Sequence, residues 1–197
     1  MHDDIEEVLF STEQILSGIV RVAGELTRDY GGDDFVVVGV LKGSVVFVAD
    51  LVRNIPAKLE MAFVGASSYG AGTTSGELSL NFFPMDEEIR GRRILLVDDI
   101  LDTGRTMSRL KKEMYERGAA DVKTCVFLDK PSRRAVDMEA DYACFEVEDL
   151  FVVGYGLDYA GRYRNLPYVG ALKPELYADL ITASVEDHVG ETASSGS

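Results

Sequence analysis

Short, fully apolar runs recur along this chain, and segments with helical spacing follow several of them. The run FVVVGVL at 35–41 and the ILLV of RRILLVDD at 92–99 are uninterrupted, as expected of strands buried on both faces. SVVFVADLVRN at 44–54 predicts a packed helix, and Met107, Leu110 and Met114 repeat at helical spacing after the second run. This alternation predicts an α/β fold in which helices flank one largely parallel, twisted sheet.

The remaining segments complete the set of predicted elements. Residues 4–30 predict an opening helix or pair of helices, because Ile15, Ile19, Val22 and Leu26 are near helical spacing. Further strands are predicted at 58–70, 77–83, 121–129, 142–147, 150–156 and 168–173, and a short helix at 174–181. Residues 1–185 are expected to form one domain, and residues 186–197 a disordered tail.

The net charge and the apolar content exclude several classes of protein. A formal charge of -14 argues against sequence-independent binding to nucleic acid, which favours a basic surface. No apolar run approaches the ~20 residues that span a bilayer, so no membrane partner is expected. Cys125 and Cys144 lie in apolar stretches and are predicted to be buried free thiols. Together with the acidic start MHDDIEEVLF, which lacks the basic region of a secretion signal, they favour the cytoplasm.

The segment ILLVDDILDTGRTM at 94–107 carries the strongest chemical signal. Asp98 and Asp99 follow the apolar run, where a strand is expected to stop, and Asp102 follows shortly after. In sheets of this kind, ligands bind beyond the carboxyl ends of the strands. Two adjacent carboxylates suit vicinal hydroxyls or a divalent cation and are unfavourable for a phosphate.

Hydrogen-bond donors come directly after the acids. Thr103, Gly104, Arg105 and Thr106 provide backbone amides, hydroxyls and a guanidinium at the start of the next predicted helix, a favourable position for a phosphate monoester. Acids beside donors therefore predict a bound sugar phosphate. An ordinary acidic helix cap needs only one such residue. A receiver domain would need a later acceptor aspartate that AVDMEADYA does not offer, and no Walker-type loop occurs.

The same segment resembles the phosphoribosyl pyrophosphate (PRPP) signature of the type I phosphoribosyltransferases. The motifs LKGS at 41–44, SSYG at 67–70, LDKPSRR at 128–134 and FVVGYGLDYAGRYRNLPYVG at 151–170 are similar to those of bacterial hypoxanthine-guanine phosphoribosyltransferases and occur in the same order. The resemblance implies the fold of that family, with a small hood from the chain ends and a flexible lid loop. It further implies a homo-oligomer, dimer or tetramer.

The activity implied by the resemblance is purine salvage. The 5-phosphoribosyl group would pass from PRPP to N9 of hypoxanthine or guanine, giving IMP or GMP and pyrophosphate, with Mg²⁺ as cofactor. Asp98 and Asp99 would then bind the ribose hydroxyls and, through them, magnesium. Asp102 would handle the proton at N7 of the purine as the catalytic residue. The segment from Thr103 to Thr106 would wrap the 5'-phosphate.

The other motifs carry the remaining roles that the resemblance implies. Leu41, Lys42 and Gly43, with a cis peptide bond between the first two, would bind pyrophosphate together with Arg164. Asp158 would contribute to the purine site and ligate a second magnesium ion.

The base itself would be recognised by residues from two motifs. Lys130 would donate to O6 of the purine, Phe151 would lie against the ring and the Val152 backbone would read its edge. Ser68 and Tyr69 would belong to a lid over the site.

Two other functions are compatible with this fold. A xanthine-guanine phosphoribosyltransferase is the close alternative, although LDKPSRR and FVVGYGLDY favour hypoxanthine. An RNA-binding regulator of pyrimidine operons resembles the family in fold and signature, but such proteins usually have a non-acidic residue in place of Asp102 and need a basic RNA-binding face. The charge of -14 and Asp102 both argue against the regulator.

Overall fold

Two β-sheets organise the protein in a computed structural model that describes residues 1–68 and 78–178. In chain order, the strands are β1 (Ile5–Phe10), β2 (Phe35–Leu41), β3 (Leu59–Ser68), β4 (Leu78–Phe82), β5 (Arg93–Leu101), β6 (Asp121–Asp129), β7 (Tyr142–Glu146), β8 (Val152–Val153) and β9 (Val169–Leu172). The helices are α1 (Thr12–Tyr30), α2 (Val45–Arg53), α3 (Asp86–Ile89) and α4 (Arg105–Glu116). Short 3-10 helices occur at His2–Asp4, Pro131–Arg133 and Pro174–Leu176.

The larger sheet has six strands in the order β4-β3-β2-β5-β6-β7. The strands from β3 to β7 in this order run parallel, and β4 pairs antiparallel with β3 at the edge. Both faces of β2 are covered: Phe35 and Val37 pack in one apolar cluster with α1 and α2, whereas Val36 and Val38 pack in another with α3 and α4. The predicted α/β fold around a largely parallel sheet is thus confirmed.

Helix α1 begins later than the sequence predicts. Ile15, Ile19, Val22 and Leu26 are buried as expected, and Ser11 forms a capping box with Gln14 at the start of the helix. The prediction of helix from residue 4 was wrong, because residues 5–10 form β1. This strand pairs antiparallel with β9, more than 150 residues away in the chain, and helical spacing within a local segment cannot show such a partner.

The smaller sheet joins the two ends of the described chain. Its order is β1-β9-β8, with antiparallel pairing throughout. This sheet is the hood that the family resemblance implies, and it brings β8 and the residues after it close to the carboxyl end of β5.

Several sequence predictions meet the limits of the described chain. Where a helix is predicted at 174–181, the structure has a 3-10 helix at Pro174–Leu176. Residues 179–181 of the predicted helix lie outside the described residues. Residues 69–77 of the predicted lid and the tail at 186–197 also lie outside them. Cys125 and Cys144 are buried and free, as predicted. Among the described helices, none combines the length and apolar character needed to cross a membrane.

Candidate active site

Strand β5 loses one of its two neighbours before it ends. Its pairing with β2 stops at Val97, whereas its pairing with β6 continues to Leu101. The strand predicted at 92–99 is thus found as β5, which continues two residues further, to Leu101, on the β6 side. Parting from β2 opens a gap in the sheet at the two carboxylates, and this is where a ligand is expected in an open α/β sheet.

The two carboxylates of this gap are held by their own backbone. Asp98 Oδ1 accepts a hydrogen bond of 2.9 Å from the Asp99 amide, and Asp99 Oδ1 accepts one of 3.0 Å from the Ile100 amide. Burial, together with the neighbouring charge of Asp99, raises the pKa of Asp98 well above its usual range. Burial also raises the pKa of Asp99. A ligand that donates hydroxyl hydrogen bonds or brings a cation would relieve this unfavourable burial of charge.

The loop after β5 prepares the start of α4 for an anion. Gly104 adopts a left-handed conformation with φ of 80° and precedes the first residue of the helix. No side chain caps this end of α4. The Arg105 amide makes a long hydrogen bond of 3.5 Å to Thr103 Oγ1. The start of a helix whose N-cap residue offers no side chain, beside Thr103, Arg105 and Thr106, suits a phosphate.

The turn between β2 and α2 reaches the same gap. The peptide bond between Leu41 and Lys42 is cis, as predicted. A Cβ added to Gly43 would lie 1.6 Å from Asp99 Oδ2, so only glycine leaves room for that carboxylate. A Cβ added to Gly156 would in turn lie 2.1 Å from the carbonyl oxygen of Gly43.

Asp158 and Arg164 form an ion pair beside this turn. Arg164 Nη2 lies 2.6 Å from Asp158 Oδ1, and Arg164 Nη1 donates to the Gly156 carbonyl oxygen at 2.6 Å. The other oxygen of Asp158 accepts a hydrogen bond of 2.7 Å from the Gly161 amide. A cation and a carboxylate are thus placed next to the loop that carries the cis peptide bond.

An open cleft of about 580 Å³ lies between the end of β5 and the hood sheet. It brings together six of the side chains predicted from the sequence and six others; its lining consists of Asp99, Ile100, Asp102, Lys130, Arg133, Asp149, Leu150, Phe151, Val152, Leu157, Asp158 and Tyr177. Gly43 and Arg164 flank it through their contacts with Asp99 and Asp158, and Lys42 directly precedes Gly43 in the chain.

Asp102 and Lys130 are two of the ionisable groups that line the cleft. Asp102 Oδ1 is buried and accepts no hydrogen bond from the described residues, although Arg133 Nε lies 3.3 Å away. The Lys130 ammonium donates to the Leu150 carbonyl oxygen at 2.7 Å and lies 3.4 Å from Asp149 Oδ1. A ligand that offers a proton to Asp102 and a carbonyl oxygen to Lys130 would satisfy both groups.

Arg134 and Tyr177 contact the site but were not predicted from the sequence. Arg134 donates to the carbonyl oxygens of Leu101 and Asp102, the first at 2.8 Å, and pairs with Asp129, so it holds the loop that carries Asp102. The motif LDKPSRR contains both arginines, but it does not show which one turns inward. Tyr177 reaches the cleft only because the chain returns through β9, and no sequence motif marks it.

Two predicted residues cannot be placed in the cleft. Ser68 ends β3, and its side chain is not among those described; Tyr69 lies outside the described residues. Their role in a lid stays a prediction.

Comparison with known proteins relates the chain to one family. Residues 7–160 match the family model described as phosphoribosyl transferase domain. The chain is 45% identical to a hypoxanthine-guanine phosphoribosyltransferase of Streptococcus pneumoniae over 179 residues, which are 91% of this chain and 99% of the relative. It is 46% identical to one of Streptococcus thermophilus over 178 residues, 90% and 98% of the two chains.

A solved structure gives the same result for the fold. The crystal structure of a hypoxanthine phosphoribosyltransferase from Staphylococcus aureus superimposes with a TM-score of 0.84 at 42% identity, covering 90% of this chain and 96% of the other. On the match of its sequence and of its fold, the chain belongs to the phosphoribosyl transferase family.

Proposed function

We propose that the protein transfers the 5-phosphoribosyl group of PRPP to N9 of hypoxanthine or guanine, giving IMP or GMP and pyrophosphate in purine salvage. The observation that carries this proposal is the shared cleft. Asp99 and Asp102, at and just beyond the end of β5, line this cleft together with the residues that suit a base, Lys130, Phe151 and Val152. Asp98 directly precedes Asp99, and α4 begins at Arg105, shortly after Asp102. The similarity to two streptococcal hypoxanthine-guanine phosphoribosyltransferases supports the same substrates.

The sugar phosphate lies along the end of β5 in this proposal. Asp98 and Asp99 accept hydrogen bonds from the two ribose hydroxyls, which compensates the burial of their charge. The backbone amides and side chains from Thr103 to Thr106 surround the 5'-phosphate at the positive end of the α4 dipole.

The base lies between Lys130 and the start of β8. The Lys130 ammonium donates to O6, which favours purines with a carbonyl at position 6 over adenine, whose amino group is itself a donor. The Phe151 ring contacts the face of the base, and the main chain of Val152 reads its edge. In this arrangement the oxygens that Lys130 now contacts, from Leu150 and Asp149, share the ammonium with the ligand.

Asp102 acts on the proton at N7. The reaction breaks the bond between C1 of the ribose and the pyrophosphate oxygen and forms a bond from C1 to N9. The buried Oδ1 of Asp102, which accepts no hydrogen bond from the described residues, takes the N7 proton while N9 becomes nucleophilic. Arg164 and the main chain of Leu41, Lys42 and Gly43 contact the departing pyrophosphate, whose charge needs donors and cations.

The donor set around the cleft fits magnesium. Among the described residues, no group of three or more histidine, cysteine or acidic side chains is placed so that it could hold a metal ion by itself. Mg²⁺ is commonly bound through one or two carboxylates and the phosphates of a substrate, which matches Asp99 and Asp158 in the lining of this cleft. Asp98 and Asp99 would hold one ion through the ribose hydroxyls, and Asp158 a second. Bound magnesium would offset the charge of pyrophosphate as it leaves.

A homo-oligomer, dimer or tetramer, is also part of the proposal. Large apolar side chains stay exposed in the isolated chain, among them Val45, Met61, Phe82 and Met85. Such residues are favourable in contacts between subunits. Light scattering coupled to size-exclusion chromatography would give the mass of the assembly, and a mass of one chain at micromolar concentration would contradict an oligomer.

The function is tested by supplying the protein with PRPP, Mg²⁺ and one purine at a time, and by measuring the release of pyrophosphate. We expect release with hypoxanthine and guanine and none with adenine. Dominant turnover of xanthine would identify the xanthine-guanine enzyme instead. Binding of PRPP without release for any purine would contradict an enzyme of purine salvage and favour the RNA-binding regulator.

A further inference from the structure

Three aromatic side chains meet at the hood side of the cleft. The Phe151 and Tyr177 rings are stacked, with their centroids 4.9 Å apart and an angle of 29° between their planes. Tyr159 meets Phe151 edge-on, at 5.4 Å and 89°. Phe151 is only partly buried and packs at the margin of an apolar cluster formed by Val153, Leu166 and Leu172. The core on its own therefore does not enclose this ring, and Tyr177 and Tyr159 supply the contacts that define its plane.

The turn that carries Tyr177 is tied to the hood sheet. The Tyr159 hydroxyl donates to the Leu176 carbonyl oxygen at 2.8 Å, and the Lys173 amide donates to the carbonyl oxygen of Asp4 at 3.0 Å. The Tyr177 amide closes the 3-10 turn on Pro174 at 3.2 Å. Hydrogen bonds on both sides of the turn thus hold Tyr177, and its ring stacks on that of Phe151.

We infer that Tyr177 is a positioning and specificity residue for the base, forming with Phe151 the aromatic wall that orients the purine ring in the cleft. The inference rests on the proposed function, because it assigns the partner of Phe151 in the base site. Tyr177 lines the cleft together with Leu157 and Val152, and the contact described for its ring is with Phe151. It therefore acts on the base and leaves the contacts of the sugar phosphate unchanged.

Tyr177 contributes to the aromatic wall through the stacking of its ring. Within the described residues, the Tyr177 hydroxyl makes no hydrogen bond, so its ring is the part that contributes. An aromatic pair gains stability in offset stacking beyond the area it buries, and a ring fixed in one plane loses less freedom when a planar base binds against it. Phenylalanine at position 177 would preserve this effect, whereas alanine would abolish it.

The experiment compares two ligands that differ only by the base. Calorimetry gives the dissociation constants of IMP and of ribose 5-phosphate for the wild-type protein and for Tyr177→Ala. We expect the constant for IMP to rise about three- to tenfold in the variant. The constant for ribose 5-phosphate should stay within about twofold. In steady-state assays, the KM for hypoxanthine should rise by a similar factor while the KM for PRPP stays constant, and Tyr177→Phe should restore wild-type values.

Two further variants separate this role from a structural one. Tyr168→Ala removes another ring of the same apolar cluster, one that contacts His2 and is outside the cleft lining; it should leave the ratio of the two dissociation constants unchanged. Tyr159→Phe removes the hydroxyl bond to Leu176 but keeps the ring, and it should weaken IMP binding in the same selective way by a smaller factor. Because each ratio is measured within one variant, a loss of folded protein affects both ligands equally.

Three results would overturn the inference. They are equal changes for IMP and ribose 5-phosphate, no change for either in Tyr177→Ala, and failure of Tyr177→Phe to restore binding. A wild-type protein that neither binds IMP nor releases pyrophosphate would instead overturn the proposed function, and the inference with it. Activity in the wild type, together with an unchanged Tyr177→Ala variant, would overturn the role of Tyr177 alone.

Discussion

Gly43, in the turn after β2, and Asp99, in β5, touch so closely that a methyl group at position 43 would overlap the carboxylate. The added Cβ would lie 1.6 Å from Asp99 Oδ2. The turn after β2 and the acidic pair of β5 are therefore fixed relative to each other, although 56 positions separate the two residues in the chain.

Gly43→Ala should therefore move Asp99 out of its place. We expect the free energy of unfolding to fall by about 1–3 kcal/mol. The KM for PRPP should rise about tenfold to a hundredfold, because a shift of about 1 Å in a binding group has effects of this size. Chemical denaturation and steady-state kinetics measure the two effects.

The matched control is Gly24→Ala in α1. A Cβ at Gly24 would meet nothing within 4 Å, so this change should stabilise the protein by about 0.5–1 kcal/mol and leave the kinetics unchanged. A Gly43→Ala variant with wild-type PRPP kinetics would show that Asp99 does not contact the substrate.

Asp102→Asn tests the handling of the proton. The amide keeps the shape of the side chain but cannot accept the N7 proton, so kcat should fall by about 10²–10⁴ while the dissociation constant of PRPP changes little. Asp137→Asn, at an exposed position outside the cleft lining, serves as the control. Equal turnover of the wild type and Asp102→Asn would remove Asp102 from this role.

Lys130→Met tests the recognition of O6. Methionine replaces the stem of the lysine and removes its donor, which is bonded to the Leu150 carbonyl oxygen at 2.7 Å. Because a hydrogen bond from a charged group contributes about 1.5–3 kcal/mol, the KM for hypoxanthine should rise about tenfold to a hundredfold, with the KM for PRPP unchanged.

Lys123→Met is the control for this variant, since Lys123 pairs with Asp141 at 3.1 Å and is outside the cleft lining. Unchanged selectivity between hypoxanthine and adenine in Lys130→Met would contradict the assignment of Lys130.

Asp98→Asn should stabilise the free protein at neutral pH. Burial and the charge of Asp99 raise the pKa of Asp98 in the folded state. Between its unfolded and folded pKa, the folded protein holds the extra proton, so its stability falls as the pH rises through this window. Asparagine does not titrate, so the variant does not lose this stability as the pH rises. We expect its free energy of unfolding to exceed that of the wild type by about 1 kcal/mol or more at pH 7, or about 2–4 °C in Tm, with little difference at pH 4.

The same variant should bind PRPP more weakly, because a ribose hydroxyl loses its charged acceptor. Thermal unfolding between pH 4 and pH 8 and calorimetry with PRPP would check both effects, with the exposed Asp3→Asn as control. A loss of stability at pH 7 would contradict an unfavourable burial of the Asp98 charge.

Arg134→Ala should loosen the loop that carries Asp102. Arg134 is mostly buried, donates to two main-chain carbonyls and pairs with Asp129. We expect a loss of about 2–4 kcal/mol in the free energy of unfolding, since the change leaves Asp129 and the carbonyls without a partner. Its neighbour Arg133 is half exposed. Arg133→Ala should therefore change the free energy of unfolding by at most about 1 kcal/mol. Urea titration measures both variants, and similar losses in the two would contradict the role of Arg134.

The sequence predicts those parts of the molecule that depend on local pattern. Strand β2 and helix α4 follow from an apolar run and a helical spacing that act within a few residues. The cis bond after Leu41 was implied by the resemblance to the family. β1 was predicted as helix because its partner, β9, is distant in the chain. The stacking of Tyr177 on Phe151 and the inward turn of Arg134 also depend on contacts between distant segments, which one sequence does not display.

The pairing of β1 with β9 sets an order of events while the protein is being made. Strand β1 leaves the ribosome first, but its partner is complete only when Leu172 has emerged. By then all strands of the larger sheet, including the one with Asp98 and Asp99, have already been synthesised. The half of the cleft proposed for the sugar phosphate can therefore fold during translation. The half proposed for the base waits for β9, with the apolar side chains of β1 uncovered in the meantime.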